Sequence, residues 1–491
     1  MRYRLIQALF IFILFAVAFL SSGGQVLAQD GENPISGKPP IGSEPSVDDF
    51  DYQVKYQRAF EAVIWSRPAL GIYSFRRAAF DWLGYQDNDI IAYSELATPR
   101  LEALTANSST SYIAAFTDLR KGPVVVEIPA AGDDGSLYGQ VVDAWHLTIA
   151  DVGPSGIDKG EGGKIVFTPP GYNKEIDDNE YIHVPSPNYR IAFAFRSVVL
   201  PGKTLEDAYE YAKRTRIYYL SEADEPPEPR FIDPINDRYP TLPLYDEHLF
   251  EDIYDIVTVE PVQKKDKVMM GMLKSLGIER GKPFSPDETT ELAMRQAAID
   301  GWHYLQYLVD KEMINRPYWE DRHYYSLQPT DANNKFDFTY EDRIDLIERA
   351  LPFFWGTFYP KELAETPTTE YTAAIADKDG NLLEADKLYK VNVPADVPVE
   401  QFWGLTVYDR DTFSFIYSAS NRTTLSSYDI EKMETNADGS VTLYVGPNAP
   451  DGLESNWIPT SGKRPMPVMR FYGLTEEFKD SFIMPDFELV E

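Results

Sequence analysis

The sequence predicts a mainly β protein, with two β-sandwich, jelly-roll-like lobes flanking a helical middle segment. Three observations lead there. Between residues 90 and 200, and again from Tyr371 onward, short runs rich in Val, Ile, Phe and Tyr are punctuated by Gly and Pro, as sandwich strands are. Between them, from about 262 to 356, apolar residues recur at helical spacing instead. The 491-residue chain is long enough for two or three domains, each with its own core.

Taken in order, residues 1–28 read as a secretory signal peptide. Arg2 and Arg4 precede an apolar run from Leu5 to Leu20, and Val26-Leu27-Ala28 is a small-x-small site that places the cut after Ala28. The run is shorter than the ~20 residues a spanning helix needs, so a retained anchor is disfavoured. The expected compartment is the bacterial periplasm or the surrounding medium. Residues 29–50, "QDGENPISGKPPIGSEPSVDDF", are Pro, Gly and acid rich with little to bury, and read as a mobile leader. Residues 51–225 open with a helix over 52–83 that Pro68 should kink or split. The strands of the first sandwich follow in "GPVVVEIPA", "YGQVVDAWHLTIADVG", "GGKIVFTPPGY" and "YRIAFAFRSVVL", and then a helix capped by Thr204 and Asp207.

Residues 226–365 form a Pro-rich connector and the helical insert. Ser285 is the expected N-cap of its long helix, with Pro286 at the first helical position and Glu288 completing a capping box. Leu292, Ile299, Trp302, Leu305 and Val309 share its expected buried face. A second helix lies around "EDRIDLIERAL". Residues 366–491 make the second sandwich, beginning with two runs joined by a turn at Asp379-Gly380. Its closing strand, "VMRFYGL", places Met469, Phe471 and Gly473 on one face and Val468, Arg470 and Tyr472 on the other.

With 46 basic and 78 acidic residues the chain carries a formal charge of −32, a field that repels phosphate backbones, so no nucleic-acid partner is expected. There is no cysteine, hence no disulfide and no lipid attachment at a mature N-terminus. No segment beyond the leader is apolar for long enough to insert stably in a membrane. Asp377, Asp379 and Asn381 have calcium-loop spacing, but Leu388 stands where a bidentate Glu is needed, so a turn is expected. "GIDKGEGGKIVF" lacks the Ser or Thr of a phosphate loop, and the five histidines have no zinc spacing. No metal and no cofactor are therefore expected.

The candidate catalytic pair is His146 with Asp143. His146 would be a general base titrating near neutral pH, on the face that strand alternation shares among Val142, Ala144 and His146. Arg196 ends the apolar run "IAFAFR", where a guanidinium needs a carboxylate or an anionic ligand. Aromatic residues make up 14% of the chain, and Trp145, Trp403 and Trp457, like Tyr408, lie in or beside β runs, as stacking platforms or as core. The candidate substrate-binding set is Asn107, Tyr112, Trp145, Arg196, Trp403, Trp457 and Arg470.

Several stretches together resemble the paired domain-of-unknown-function 1254 and 1214 proteins: "DLRKGPVVVEIPA", "DVGPSGIDKGEGGK" and "RTRIYYL" in the first half, "FWGLTVYD", "NADGSVTLYVGPNAPDGLESNWIPT" and "MRFYGLTEEF" in the second. The resemblance implies two β lobes around a helical insert in proteins that are often exported, and implies no reaction. The family usually carries Asn-x-Asp before a Tyr, whereas "TANSSTSY" has Ser109 in place of the acid. Two functions follow as expectations: an exported hydrolase of a small organic or carbohydrate-like substrate bound between the lobes, or a non-catalytic ligand-binding or structural protein of the cell envelope. Self-association into a homo-oligomer stays open.

Overall fold

The computed structural model describes residues 37, 39–40, 42–327, 336–361 and 368–490. The expected signal peptide and its cut after Ala28 lie outside them. Among the described residues no helix is long and apolar enough to cross a membrane. The chain divides after Gln53. The shorter unit holds, among its described residues, turns and the start of a helix, whereas both lobes and the insert belong to the longer unit.

In chain order the first lobe contributes β1 (Ile90–Ala92), β2 (Leu101–Glu102), β3 (Ser111–Asp118), β4 (Val124–Ile128), β5 (Ser136–Asp143) and β6 (Thr148–Val152). Then come β7 (Gly163–Thr168), β8 (Tyr181–Pro185), β9 (Arg190–Val198) and β10 (Arg216–Tyr219), with β11 (Phe231–Ile232) and β12 (Tyr239–Pro240) added by the connector. One sheet runs β11-β1-β3-β9-β5-β6, the other β10-β4-β7-β8, and β12 pairs with β2. Alternation decides what each face buries. Ile113 and Ala115, Val141, and Ile191, Phe193 and Phe195 point into the sandwich and meet Val124, Val126, Ile165 and Phe167 of the facing sheet. The intervening residues, such as Ala114, Phe116, Val142 and Ala192, face away and join a different core.

The second lobe repeats this plan with β13 (Tyr324–Ser326), β14 (Thr369–Ala374), β15 (Tyr389–Val393), β16 (Val399–Asp409), β17 (Thr424–Ser426), β18 (Val441–Gly446), β19 (Trp457–Pro459), β20 (Pro465–Leu474) and β21 (Glu488–Leu489). Its sheets run β13-β14-β20-β16-β17 and β19-β18-β15-β21. Leu405, Val407, Met469 and Phe471 face Val391, Val393, Leu443 and Val445 inside the sandwich, while Val468 and Met466 look outward. The runs on either side of Asp379-Gly380 pair only briefly, through an antiparallel Ala376–Leu382 bridge, and then part, because β14 and β15 belong to opposite sheets. The turn is a corner between layers, in which the Asp377 carboxylate accepts the N–H groups of Asp379 and Asn381.

The helices are α1 (Phe50–Leu83), α2 (Leu205–Ala212), α3 (His248–Val259), α4 (Lys267–Lys274), α5 (Glu288–Asn315), α6 (Leu346–Trp355) and α7 (Glu476–Asp480). α2 begins with the expected Thr204–Asp207 capping box. Pro68 does not split α1: every residue from Ala62 to Ile72 is buried. That burial outweighs the ~3 kcal/mol a mid-helix proline costs. α5 is capped by Asp287, which accepts the Thr290 N–H, and not by Ser285. Its buried face is only partly the expected one. Leu305 and Val309 are buried as expected, but Leu292 and Ile299 are 55% and 40% exposed, and Ala293, Ala297, Ala298 and Gly301 are buried in their place. A small face permits close approach, and a Cβ on Gly301 would fall 2.7 Å from a Val63 methyl carbon of α1.

The outward faces of the β3-β9-β5 and β14-β20-β16 sheets share one core with the C-terminal half of α1, the end of α5, and α6. The helices thus cover one end of the space between the lobes.

Candidate functional site

Beyond the helices, both outward faces change character along their strands. On β9 the outward residues run Ala192, Ala194, Arg196, and on β3 they run Phe116, Ala114, Tyr112. Register places Arg196 between Tyr112 of β3 and Tyr138 of β5. On β20 the sequence is Met466, Val468, Arg470, Tyr472. Arg470 lies between Tyr371 of β14 and Gly404 of β16, and Tyr472 stacks on Phe402 with ring centroids 4.2 Å apart. Each lobe therefore brings one guanidinium and a set of phenols to the same seam.

Residues 104–110 connect the two. Thr105 donates its N–H to the Phe413 carbonyl at 2.7 Å and its hydroxyl to the Trp355 carbonyl. The Thr105 carbonyl accepts from Arg470, and the Ala106 carbonyl from the Tyr408 hydroxyl, which itself accepts from Arg470. Asn107 Nδ2 donates to the Tyr472 hydroxyl at 3.2 Å, and its Oδ1 accepts from the Ser109 N–H and hydroxyl. Ser108 and Thr424 hydroxyls meet at 2.8 Å. This segment is a strap of the first lobe laid onto the second.

Neither arginine forms an ion pair among the described residues. Arg196 sits 4.7 Å from the centroid of the Tyr112 ring and donates to the Thr110 hydroxyl. Arg470 sits 4.9 Å from the Tyr371 centroid, is 6% exposed, and its Nε is buried without a partner. The phenols respond unequally. Burial acts to raise the Tyr472 hydroxyl, but Arg470, the hydrogen bond from Tyr371 and Arg196 outweigh it and hold the group below the ordinary tyrosine value. Tyr371, more deeply buried, is pushed well above that value and remains the donor of the pair at 3.2 Å.

A cleft of about 820 Å³ opens on this cluster, lined by Asn107, Ser109, Thr110 and Tyr138 from one lobe and Phe402, Gly404, Arg470 and Tyr472 from the other. Asp429 is the single acid among the described lining residues, and it caps Ser426. An enclosed, mostly apolar cavity of about 100 Å³ lies on the far side of Tyr112 and Arg196, which line it.

The family model described as protein of unknown function DUF1254 matches residues 88–219, and that described as protein of unknown function DUF1214 matches residues 368–476. The chain belongs to the paired DUF1254/DUF1214 family. Among curated proteins none matches. A crystal structure of a Vibrio parahaemolyticus protein is similar at 18% identity, covering 89% of this chain and 100% of that one, with a TM-score of 0.51. A putative uncharacterized protein from Burkholderia cenocepacia is similar at 13% identity, with 90% and 96% covered and a TM-score of 0.38. The DUF1254 half supplies Asn107 to the cleft, with Tyr112 and Arg196 lining the cavity behind it, and the DUF1214 half supplies Arg470 and Tyr472 to the cleft.

The other sequence candidates fall elsewhere. β5 ends at Asp143, so strand alternation does not reach His146, which sits in the following turn with φ +65°. Asp143 accepts the N–H groups of Trp145 and Leu147 to make that turn, and burial lifts its carboxyl to about 6. The His146 ring is buried between Phe353 and Phe358, where Nε2 accepts from the Thr357 hydroxyl and the Phe358 N–H. Burial, then Arg67, lowers its pKa to about 3, so it is a neutral structural acceptor and not a base facing a substrate. Trp145 packs on Trp65 at 4.6 Å in the helical core, and Trp403 is buried inside the second sandwich. Trp457 bonds the Gly446 carbonyl, and its own carbonyl accepts from Arg422, a cleft-lining residue. Sequence reading passed over Tyr371, Phe402 and Tyr138; the signal for them lies in register, which no local pattern prints.

Proposed function

We propose that this protein, exported to the periplasm or beyond, binds a small organic anion in the interlobe cleft, with the anionic head group on Arg470 and Arg196. One observation supports the reading above others: two arginines from different lobes flank Tyr472 in one seam, with no carboxylate partner among the described residues. A desolvated guanidinium lacking a counter-charge is costly, and its planar fork matches a carboxylate. The cleft volume is that of a metabolite-sized site. In so acidic a chain, a cleft whose lining holds a single acid is a local exception to the surface field.

The test is calorimetric titration of the full chain with acetate, benzoate, phosphate and a neutral sugar, repeated on Arg470→Gln and Arg196→Met. A carboxylate is expected to bind and to lose at least about tenfold in affinity in each variant, a change of about 1.4 kcal/mol or more. Unchanged affinity in both variants, with folding intact, would overturn the reading.

Tyr472 favours a second, catalytic reading, in which the cleft works as a hydrolase or related enzyme. Its hydroxyl accepts from Tyr371 and Asn107 and lines the cleft, and Arg470 favours its ionised form, which supports a general-base role. Turnover of chromogenic esters or glycosides that disappears in Tyr472→Phe, while anion binding persists, would move the assignment from binding protein to enzyme.

A further inference from the structure

We infer that the enclosed cavity behind Tyr112 and Arg196 is the tail compartment of the same site, so that the ligand is a carboxylate with a short unbranched apolar chain. This rests on the anion reading and adds to it the class of ligand. Tyr112 and Arg196 line the cavity, while their hydrogen-bond partners Asn107 and Thr110 line the cleft, so these bonded side chains form the wall between the two spaces. A head group on the arginines therefore has the cavity directly behind it.

The cavity walls are what a chain would need. Ile91, Leu101, Ala103, Ala194 and Phe358 present hydrocarbon. At about 100 Å³ the space is smaller than the ~150 Å³ cavity that holds benzene, so a short alkyl chain fits and a ring does not. The wall also holds polar side chains, among them Gln140, Thr357 and Tyr93 beside Tyr112 and Arg196. Tyr93 is 4% exposed and lines the cavity, and its hydroxyl has no hydrogen-bond partner among the described residues. Burial raises that phenol, which stays a donor. A buried hydroxyl left unpaired costs about 1–3 kcal/mol, and a ligand acceptor on the chain, a keto or hydroxyl oxygen, would relieve it. No alternation or motif marks Tyr93, because its role depends on β1 lying beside β3.

The experiment is titration of the full chain with acetate, butyrate, hexanoate and a keto acid of hexanoate length. Affinity is expected to rise about fourfold for each methylene that enters the cavity. Ala194→Leu should remove the gain from chain length and leave acetate binding unchanged, and Ala103→Val reports the same if the first variant does not fold. Tyr93→Phe should lower affinity for the keto acid and not for hexanoate. Equal affinities for acetate and hexanoate, or a chain-length gain that survives both filling variants, would overturn the tail compartment while leaving the head-group site standing. Absence of binding by every carboxylate, acetate included, would instead overturn the anion reading on which it rests.

Discussion

Buried titratable groups in this chain separate by what surrounds them, and two of them set opposite trends with pH. Glu370 is 5% exposed, and burial pushes its carboxyl up to about 7, the Ser326 hydroxyl and Tyr371 N–H offsetting only part of that. Its folded form thus holds a proton that the unfolded chain releases near 4.5, so stability is lost as pH rises from about 4.5 to about 7. His146 acts in the other sense. Held neutral with a pKa of about 3, it removes stability as pH falls from 6.5 toward that value. Glu370→Gln keeps an acceptor for Ser326 and is expected to flatten the loss on the neutral side, by about 1.4 kcal/mol per pH unit within the window. Urea unfolding at a series of pH values checks this, and a variant whose pH profile overlays the parent's would refute it.

Elements are specified by what they pack against more than by their own hydrophobicity. On β20 the switch from Met466 and Val468 to Arg470 and Tyr472 on one face is visible in the letters, and so is the switch from Ala192 and Ala194 to Arg196 on β9. These two arginines were therefore legible, as were the two sandwiches and the α2 cap. α5 was legible as a helix, and Leu305 and Val309 as buried, but the face of its first half was not, because Leu292 and Ile299 outweigh Ala and Gly on any hydrophobic count, whereas close packing against α1 selects small residues. The same geometry reverses an ordinary expectation. Gly→Ala inside a helix usually gains about 0.5–1 kcal/mol. At Gly301 the new methyl meets Val63, which is fully buried and cannot withdraw, so Gly301→Ala is expected to lose about 1–3 kcal/mol instead. Denaturant midpoints of the two proteins decide it, and a gain in stability would show that the α1–α5 contact is looser than described.

For the whole molecule, composition spoke to charge, and the expectation of export rests on the first 28 residues alone. N-terminal sequencing of exported protein is expected to begin at Gln29, and a start at Met1 would contradict that expectation. Pairing between lobes was beyond reach of sequence, because Tyr371 and Tyr472, or Asn107 and Tyr472, meet only after two sandwiches have folded and docked. The strap at 104–110 makes the two halves mutually dependent. One guanidinium and the Asn107 amide come from the DUF1254 half, and the other guanidinium and the Tyr472 phenol come from the DUF1214 half. Separating the halves would leave the Tyr472 hydroxyl without Asn107 and Arg470 without the Thr105 carbonyl, so each half depends on the other to satisfy the seam.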